Sequence, residues 1–245
     1  MKHIRQWFRK ASAAEEFAVN SPSRQEMLPA NDLQPPAKTL AQRVAETHAF
    51  FDPKNLADLI LQYNGEVALL VIDVQKQFCD PDDWMGNGSE ETVQVSERVK
   101  DLTPAFRKAG IPVYAVHFGK PEKDASAIDF YKFIPEPGDT LVAKNMRSAF
   151  LGGNIREILD RDHRKLLLTC GVYLNQCVRE TVEDAVDQGF DVCLLRDMTG
   201  DYKGDADNTD QNLTAMTRKG IAVLQSGQVL EALKIAKRTA SAPGI

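Results

Sequence analysis

Cys177 stands where an apolar run gives way to a helical pattern, and a thiol in that place can act as a nucleophile. The run is Lys165-Leu166-Leu167-Leu168, followed by Thr169-Cys170-Gly171-Val172-Tyr173-Leu174-Asn175-Gln176-Cys177. Val178–Gln188 then has helical spacing, and Gly189 closes it. Free backbone N–H groups and the dipole at such a turn lower a thiol pKa and favour the thiolate. The competing reading is a buried structural cysteine. A second group, Asp73, ends the apolar run Val67–Ile72. Its carboxylate can accept a thiol proton and return it to a leaving group, or it can simply cap the next turn. A third, Lys144, follows the short run Thr140–Ala143. It offers a fixed cation for a neighbouring carboxylate or thiolate, or a solvated surface charge.

Three segments decide among these readings, because together they resemble the isochorismatase-like cysteine hydrolases. That family includes nicotinamidases, N-carbamoyl amide hydrolases and isochorismatases. The segments are Leu69–Phe78, with Asp73-x-Gln75-x-x-Phe78; Lys144–Phe150, with Lys144-x-x-x-Ser148-Ala149-Phe150; and Gly171–Thr181, followed by Asp184–Phe190. The likeness runs from Val67 to the region of Leu230, roughly two-thirds of the chain. It implies that Asp73, Lys144 and Cys177 are catalytic, as base, cation and nucleophile. It implies that the backbone N–H groups of Tyr173 and Cys177 form the oxyanion hole, next to a cis peptide joining Val172 to Tyr173. Gln75, Phe78, His117 and Arg147 are expected to line the substrate pocket. The implied reaction is hydrolysis of a C–N bond in a small amide or carbamoyl substrate through a thioester, without an organic cofactor.

The family also contains vinyl ether hydrolases, and Gly171-Val172-Tyr173 with the Arg147 neighbourhood resembles that branch. Those enzymes typically carry a small residue where this chain has Cys177, which favours the amide reading. A non-catalytic binding protein on the same scaffold is a further alternative. Nicotinamidases hold a metal through an Asp-x-His pattern after the second strand. Here that stretch reads His117-Phe118-Gly119-Lys120, with Glu122, Asp124 and Asp129 beyond. The spacing gives no closed ligand set, so no metal is expected and activity should survive chelation.

The elements that must position these residues follow from pattern. Apolar runs at Val67–Asp73, Pro112–Phe118, Thr140–Ala143, Lys165–Cys170, Asp191–Arg196 and Ile221–Gln225 alternate with amphipathic stretches. The stretches are Glu90–Lys108, Asn154–Leu159, Val178–Gln188, Thr209–Arg218 and Gln228–Lys237. This alternation predicts an α/β fold, a three-layer α/β/α sandwich with a mostly parallel sheet. Sites in such sheets lie beyond the carboxyl ends of the strands, where Asp73, Lys144 and the turn before Cys177 fall. Two further helices are expected at Thr39–Phe51 and from Asp52-Pro53 to about Asn64-Gly65. The organisation is thus a basic and polar arm over residues 1–38, a helical extension over 39–64 and a hydrolase domain over 65–240. Phe50, Phe51, Leu59 and Ile60 in the extension cover either their own core or a neighbouring copy, and a homo-oligomer is expected.

A net charge of -5 without a long basic run argues against nucleic acid as a partner, leaving a small-molecule substrate. No apolar stretch reaches the length of a membrane span. Cys79, Cys170, Cys177 and Cys193 form no Cys-x-x-Cys pair and no zinc-like framework, which fits reduced thiols and a cytoplasmic location. The basic start of the chain lacks the apolar region of a secretory signal.

Overall fold

Among the described residues, six parallel strands in the order β3-β2-β1-β4-β5-β6 form one sheet. The computed structural model describes residues 37–50, 52–85, 87–121, 128–202 and 208–241. In chain order the elements are α1 (Leu40–Glu46), α2 (Pro53–Leu61), β1 (Val67–Ile72), α3 (Lys76–Cys79), α4 (Glu90–Ala109), β2 (Val113–Phe118), β3 (Thr140–Lys144), α5 (Ile155–Arg161), β4 (Leu166–Val172), a π-helical turn (Leu174–Val178), α6 (Arg179–Asp187), β5 (Asp191–Gly200), α7 (Thr209–Lys219), β6 (Ala222–Leu224) and α8 (Ser226–Ala240). The arm expected over residues 1–38 lies almost entirely outside the described residues, as does Phe51.

Every residue of β1 and β4 is buried, as a central parallel strand with both faces covered requires. Alternate side chains feed two cores. Leu69, Val71, Leu168 and Leu195 pack with Val99 and Phe106 of α4 and Val229 and Leu233 of α8. Leu70, Ile72, Leu167 and Leu194 pack on the other face with Leu159 of α5, Val182 of α6 and Met216 of α7. This is the three-layer α/β/α arrangement expected from the pattern.

Local chemistry sets the helix ends. Asp52 caps α2 by accepting from the Lys54 N–H at 2.8 Å, with Pro53 at the first helical position. Ser89 and Thr92 make a reciprocal cap at the start of α4, and Gly110, at φ +90°, ends it. The extension is shorter than its pattern predicts: α1 stops at Glu46 and α2 at Leu61. Both helices belong to the compact unit Lys38–Ile245. Leu40, Val44, Leu56, Leu59 and Ile60 are buried in the same core as α8. Leu59 and Ile60 therefore cover their own fold, one of the two alternatives left by the sequence. Arg43 and Tyr63 clasp Asp191 at the start of β5, at 2.7 and 2.8 Å.

Candidate active site

The strand order reverses at β1, which pairs with β2 on one side and β4 on the other. At such a point the loops leaving two adjacent strands diverge and open a crevice. Asp73 follows β1 and the Tyr173–Val178 turn follows β4, so both flank that crevice. Asp73 sits at φ +55°, a left-handed conformation that Asp tolerates better than most residues, and its N–H donates to the Val116 carbonyl at 2.9 Å. The chain thus leaves the strand sharply while the carboxylate stays buried. Gly171, at φ +122°, lies against Ile72 so closely that a Cβ there would run into the Ile72 backbone. Only glycine lets β4 pass β1 at this level.

Lys144 ends β3, two strands away from β1, with Phe118 of β2 as its register partner. Its stem crosses the end of β2, and Nζ reaches Asp73 Oδ2 at 2.8 Å. Both side chains are essentially removed from solvent. Nζ also donates to the carbonyls of Met146 and Arg147 at 3.0 and 2.9 Å and lies 5.1 Å from the centre of the Phe118 ring. A buried ammonium needs this company, since an unpaired charge in the interior is strongly disfavoured.

Cys177 lies in the π-helical turn, and its thiol interacts with both Asp73 and Lys144. The structure therefore gathers Asp73, Lys144 and Cys177 into one cluster. It does not support the expected low thiol pKa. Burial, and next the Asp73 carboxylate, push the Cys177 thiol well above its ordinary value, and Lys144 only partly opposes them. The reason is position: the helical turn begins at Leu174, not at Val178, so the cysteine is enclosed rather than presented at a helix start. Burial likewise raises the Asp73 carboxyl above the usual carboxylate range, despite Lys144, the Cys177 thiol and, more weakly, His117. Burial lowers the Lys144 pKa, but Asp73 first, and then Cys177, through charge and hydrogen bonding together, hold it above its ordinary value. All three groups of the cluster are thus shifted toward higher proton affinity than their ordinary values.

The Val172–Tyr173 peptide is cis. The Tyr173 carbonyl accepts from the N–H groups of Gln176 and Val178 at 3.0 and 3.1 Å, which forms the wide turn around Cys177. The Tyr173 hydroxyl donates to the Phe78 carbonyl at 2.7 Å.

The four residues expected in the pocket divide. Gln75 and His117 line a cleft of ≈ 200 Å³ together with Gln77, Asp83, Trp84 and Lys120. Gln75 spends its amide on the backbone of Phe118, accepting at 2.7 Å and donating at 3.2 Å. Phe78 is buried edge-on between the rings of Phe118 and Tyr173, a packing position. Arg147 pairs with Glu180 of α6 at 3.2 Å, and its carbonyl holds Lys144. Of the carboxylates considered with His117, Glu122 and Asp124 lie outside the described residues, while Asp129 is exposed beside Lys76. Among the described residues no three His, Cys, Asp or Glu side chains come together as metal ligands would.

Two residues of the site escaped sequence reasoning. Thr181 accepts the Ala149 N–H at 3.1 Å and ties the segment after Lys144 to α6. Asp201, buried past the end of β5, binds the turn that carries Cys177. Thr181 lies inside the Gly171–Thr181 motif, whereas Asp201 gives no signal because the apolar run of β5 ends at Arg196 on sequence pattern alone.

Comparison with known proteins agrees with this architecture. The model of the isochorismatase domain matches residues 67–228. An isochorismatase family protein of Bacillus subtilis, YrdC, is 28% identical over 166 residues, 64% of this chain and 84% of its own. N-carbamoylsarcosine amidase of an Arthrobacter species is 26% identical over 163 residues, 57% of this chain and 61% of the relative. Among solved structures, a cysteine hydrolase of Pseudomonas syringae superposes with a TM-score of 0.61 at 20% identity, over 70% of this chain and 94% of that one. The zinc complex of pyrazinamidase from Pyrococcus horikoshii gives a TM-score of 0.57 at 26% identity, over 65% and 99%. With the domain match spanning most of the chain and the strand order and site placement in agreement, the protein belongs to the isochorismatase-like cysteine hydrolase family.

Proposed function

We propose that this protein is a cysteine hydrolase that cleaves a C–N bond in a small amide or carbamoyl compound. The observation that carries the reading is the buried meeting of the Cys177 thiol with Asp73, itself paired to Lys144 at 2.8 Å. A neutral thiol needs a base at the moment of attack, and Asp73 has raised proton affinity for that task. Sγ attacks the carbonyl carbon as its proton passes to Asp73. The C–N bond then breaks, and Asp73 returns the proton to the departing ammonia or amine. Water, deprotonated by the same carboxylate, cleaves the thioester and restores the thiol. Lys144 keeps Asp73 ionised between steps, and the N–H groups of Tyr173 and Cys177 are the donors assigned to the developing oxyanion. The chain's likeness to the N-carbamoylsarcosine amidase of the Arthrobacter species makes carbamoyl compounds the first class to test.

A second reading draws on the raised Asp73 carboxyl, which is suited to protonate a vinyl ether without a nucleophile. The two separate on one variant. Ammonia release is followed over a panel of nicotinamide, carbamoyl amino acids, biuret and ureidoacrylate, and isochorismate is followed by pyruvate formation. Cys177→Ala should lower amide turnover by about 10³-fold or more, as removal of a covalent nucleophile does elsewhere. Asp73→Asn should do likewise. Pyruvate release that survives Cys177→Ala would instead select the vinyl ether reading.

A further inference from the structure

Asp201 is a buried carboxylate outside the Asp73, Lys144 and Cys177 cluster, and one of its hydrogen bonds goes to the turn that carries the thiol. It follows β5, the strand beside β4. Oδ1 accepts from the Asn175 N–H at 3.2 Å and from the Tyr202 N–H at 3.2 Å. Oδ2 accepts from the Thr209 hydroxyl of α7 at 2.8 Å. The Asp201 N–H donates to Glu91 of α4 at 3.4 Å. Asn175 is two residues before Cys177, inside the π-helical turn. One carboxylate therefore links the nucleophile's turn to the loop after β5 and to the first turn of α7.

We propose that Asp201 is a positioning residue that fixes the Leu174–Val178 turn so that the Cys177 thiol stays against Asp73 and Lys144. A buried carboxylate taken from water must have its lone pairs satisfied, and here the donors come from separate elements. Removing it leaves the Asn175 N–H without this acceptor and frees the turn to shift. Release of the turn carries the thiol away from the two influences that raise its pKa, burial and the Asp73 carboxylate. Asp201→Asn keeps an oxygen for both N–H groups, and its amide can donate to the Thr209 hydroxyl, whose oxygen also accepts. The asparagine variant is thus the conservative rescue of the alanine variant.

The proposal rests on the Cys177 reading of the site, so its test is read on the thiol as well as on turnover. The full-length protein is treated with iodoacetamide between pH 6 and 10, and labelling of Cys177 is measured by intact mass and peptide mapping. Asp201→Ala should label at least about tenfold faster at pH 8.5, with the midpoint moved down toward that of an ordinary thiol near 8.5. Its kcat should fall at least tenfold while KM changes less than threefold, and Asp201→Asn should recover most of both. If Asp201→Ala does not fold, Thr209→Val removes one of the bonds and should shift labelling in the same direction by threefold or more. An unchanged labelling profile in a folded Asp201→Ala protein overturns the proposal. Turnover indifferent to Cys177→Ala removes the underlying reading instead, and the labelling profile still decides the role of Asp201.

Discussion

At the scale of single residues, the site is a problem of buried charge. Asp73 and Lys144 are each costly to bury alone and are tolerable together. Lys144→Met should therefore destabilise the protein by about 3–5 kcal/mol, because it strands a buried carboxylate. Adding Asp73→Asn to it should return part of that loss, although the double variant is inactive. Urea unfolding of the three proteins measures the coupling, and strict additivity would show that the pair does not act as a unit. The same burial sets the pH dependence. The proposed mechanism needs Asp73 ionised, and its carboxyl is raised above the usual range. Activity should therefore fall on the acid side with an apparent pKa above the ~3.9 of an ordinary aspartate. The thiol and Lys144 are both shifted upward, so the alkaline limb should lie well above neutrality. Such values belong to the coupled cluster rather than to one residue. A kcat/KM profile still at its plateau at pH 4 would contradict this account.

At the scale of elements, the apolar runs were enough to place all six strands, because a covered parallel strand is apolar along its whole length. What they could not place were departures from regular pairing. Leu194 of β5 faces Thr169 of β4, but Thr199 faces Gly171, so β5 bulges between those pairs. Arg196 and Asp197 occupy the bulge and interrupt the apolar run, which hid the continuation to Gly200 and with it Asp201. The π-helical turn was hidden for a similar reason: Leu174, Asn175 and Gln176 show no 3.6-residue period. Cys177 was recognisable by type and motif, yet its enclosure and raised pKa depend on that turn. Gly171 makes the dependence testable. Gly171→Ala would place a Cβ against the Ile72 backbone at a φ that L-residues rarely adopt. A destabilisation on the order of 3 kcal/mol is expected from backbone strain alone, with the clash added. Thermal melting checks it, and a variant as stable as the parent would mean that β1 and β4 separate easily at their carboxyl ends.

At the scale of the whole molecule, the open question from sequence was what the helices before β1 are for. The family match begins at residue 67, so the likeness says nothing about them. The structure gives them a share of the main core. Leu40, Val44, Leu56, Leu59 and Ile60 are all buried in the cluster that includes Leu69, Val71 and Leu233. Polar ties reinforce the packing: Arg43 and Tyr63 meet Asp191, the Ala41 N–H donates to the Gly220 carbonyl at 3.2 Å, and Gln228 donates to the Phe50 carbonyl at 2.6 Å. Burying five such side chains contributes roughly 10 kcal/mol before the entropy of ordering the helices is counted. That gross figure is similar to the whole stability of an ordinary domain, about 5–15 kcal/mol. A chain that starts at residue 65 would keep the proposed catalytic residues but expose the apolar faces of α8 and the sheet beside it. It should be recovered as insoluble protein, or should lack a cooperative thermal transition, where a chain that starts at residue 37 melts cooperatively. A soluble residue 65–245 protein with a melting temperature within a few degrees of the longer chain would show that the two helices are an accessory to the fold rather than a part of its core.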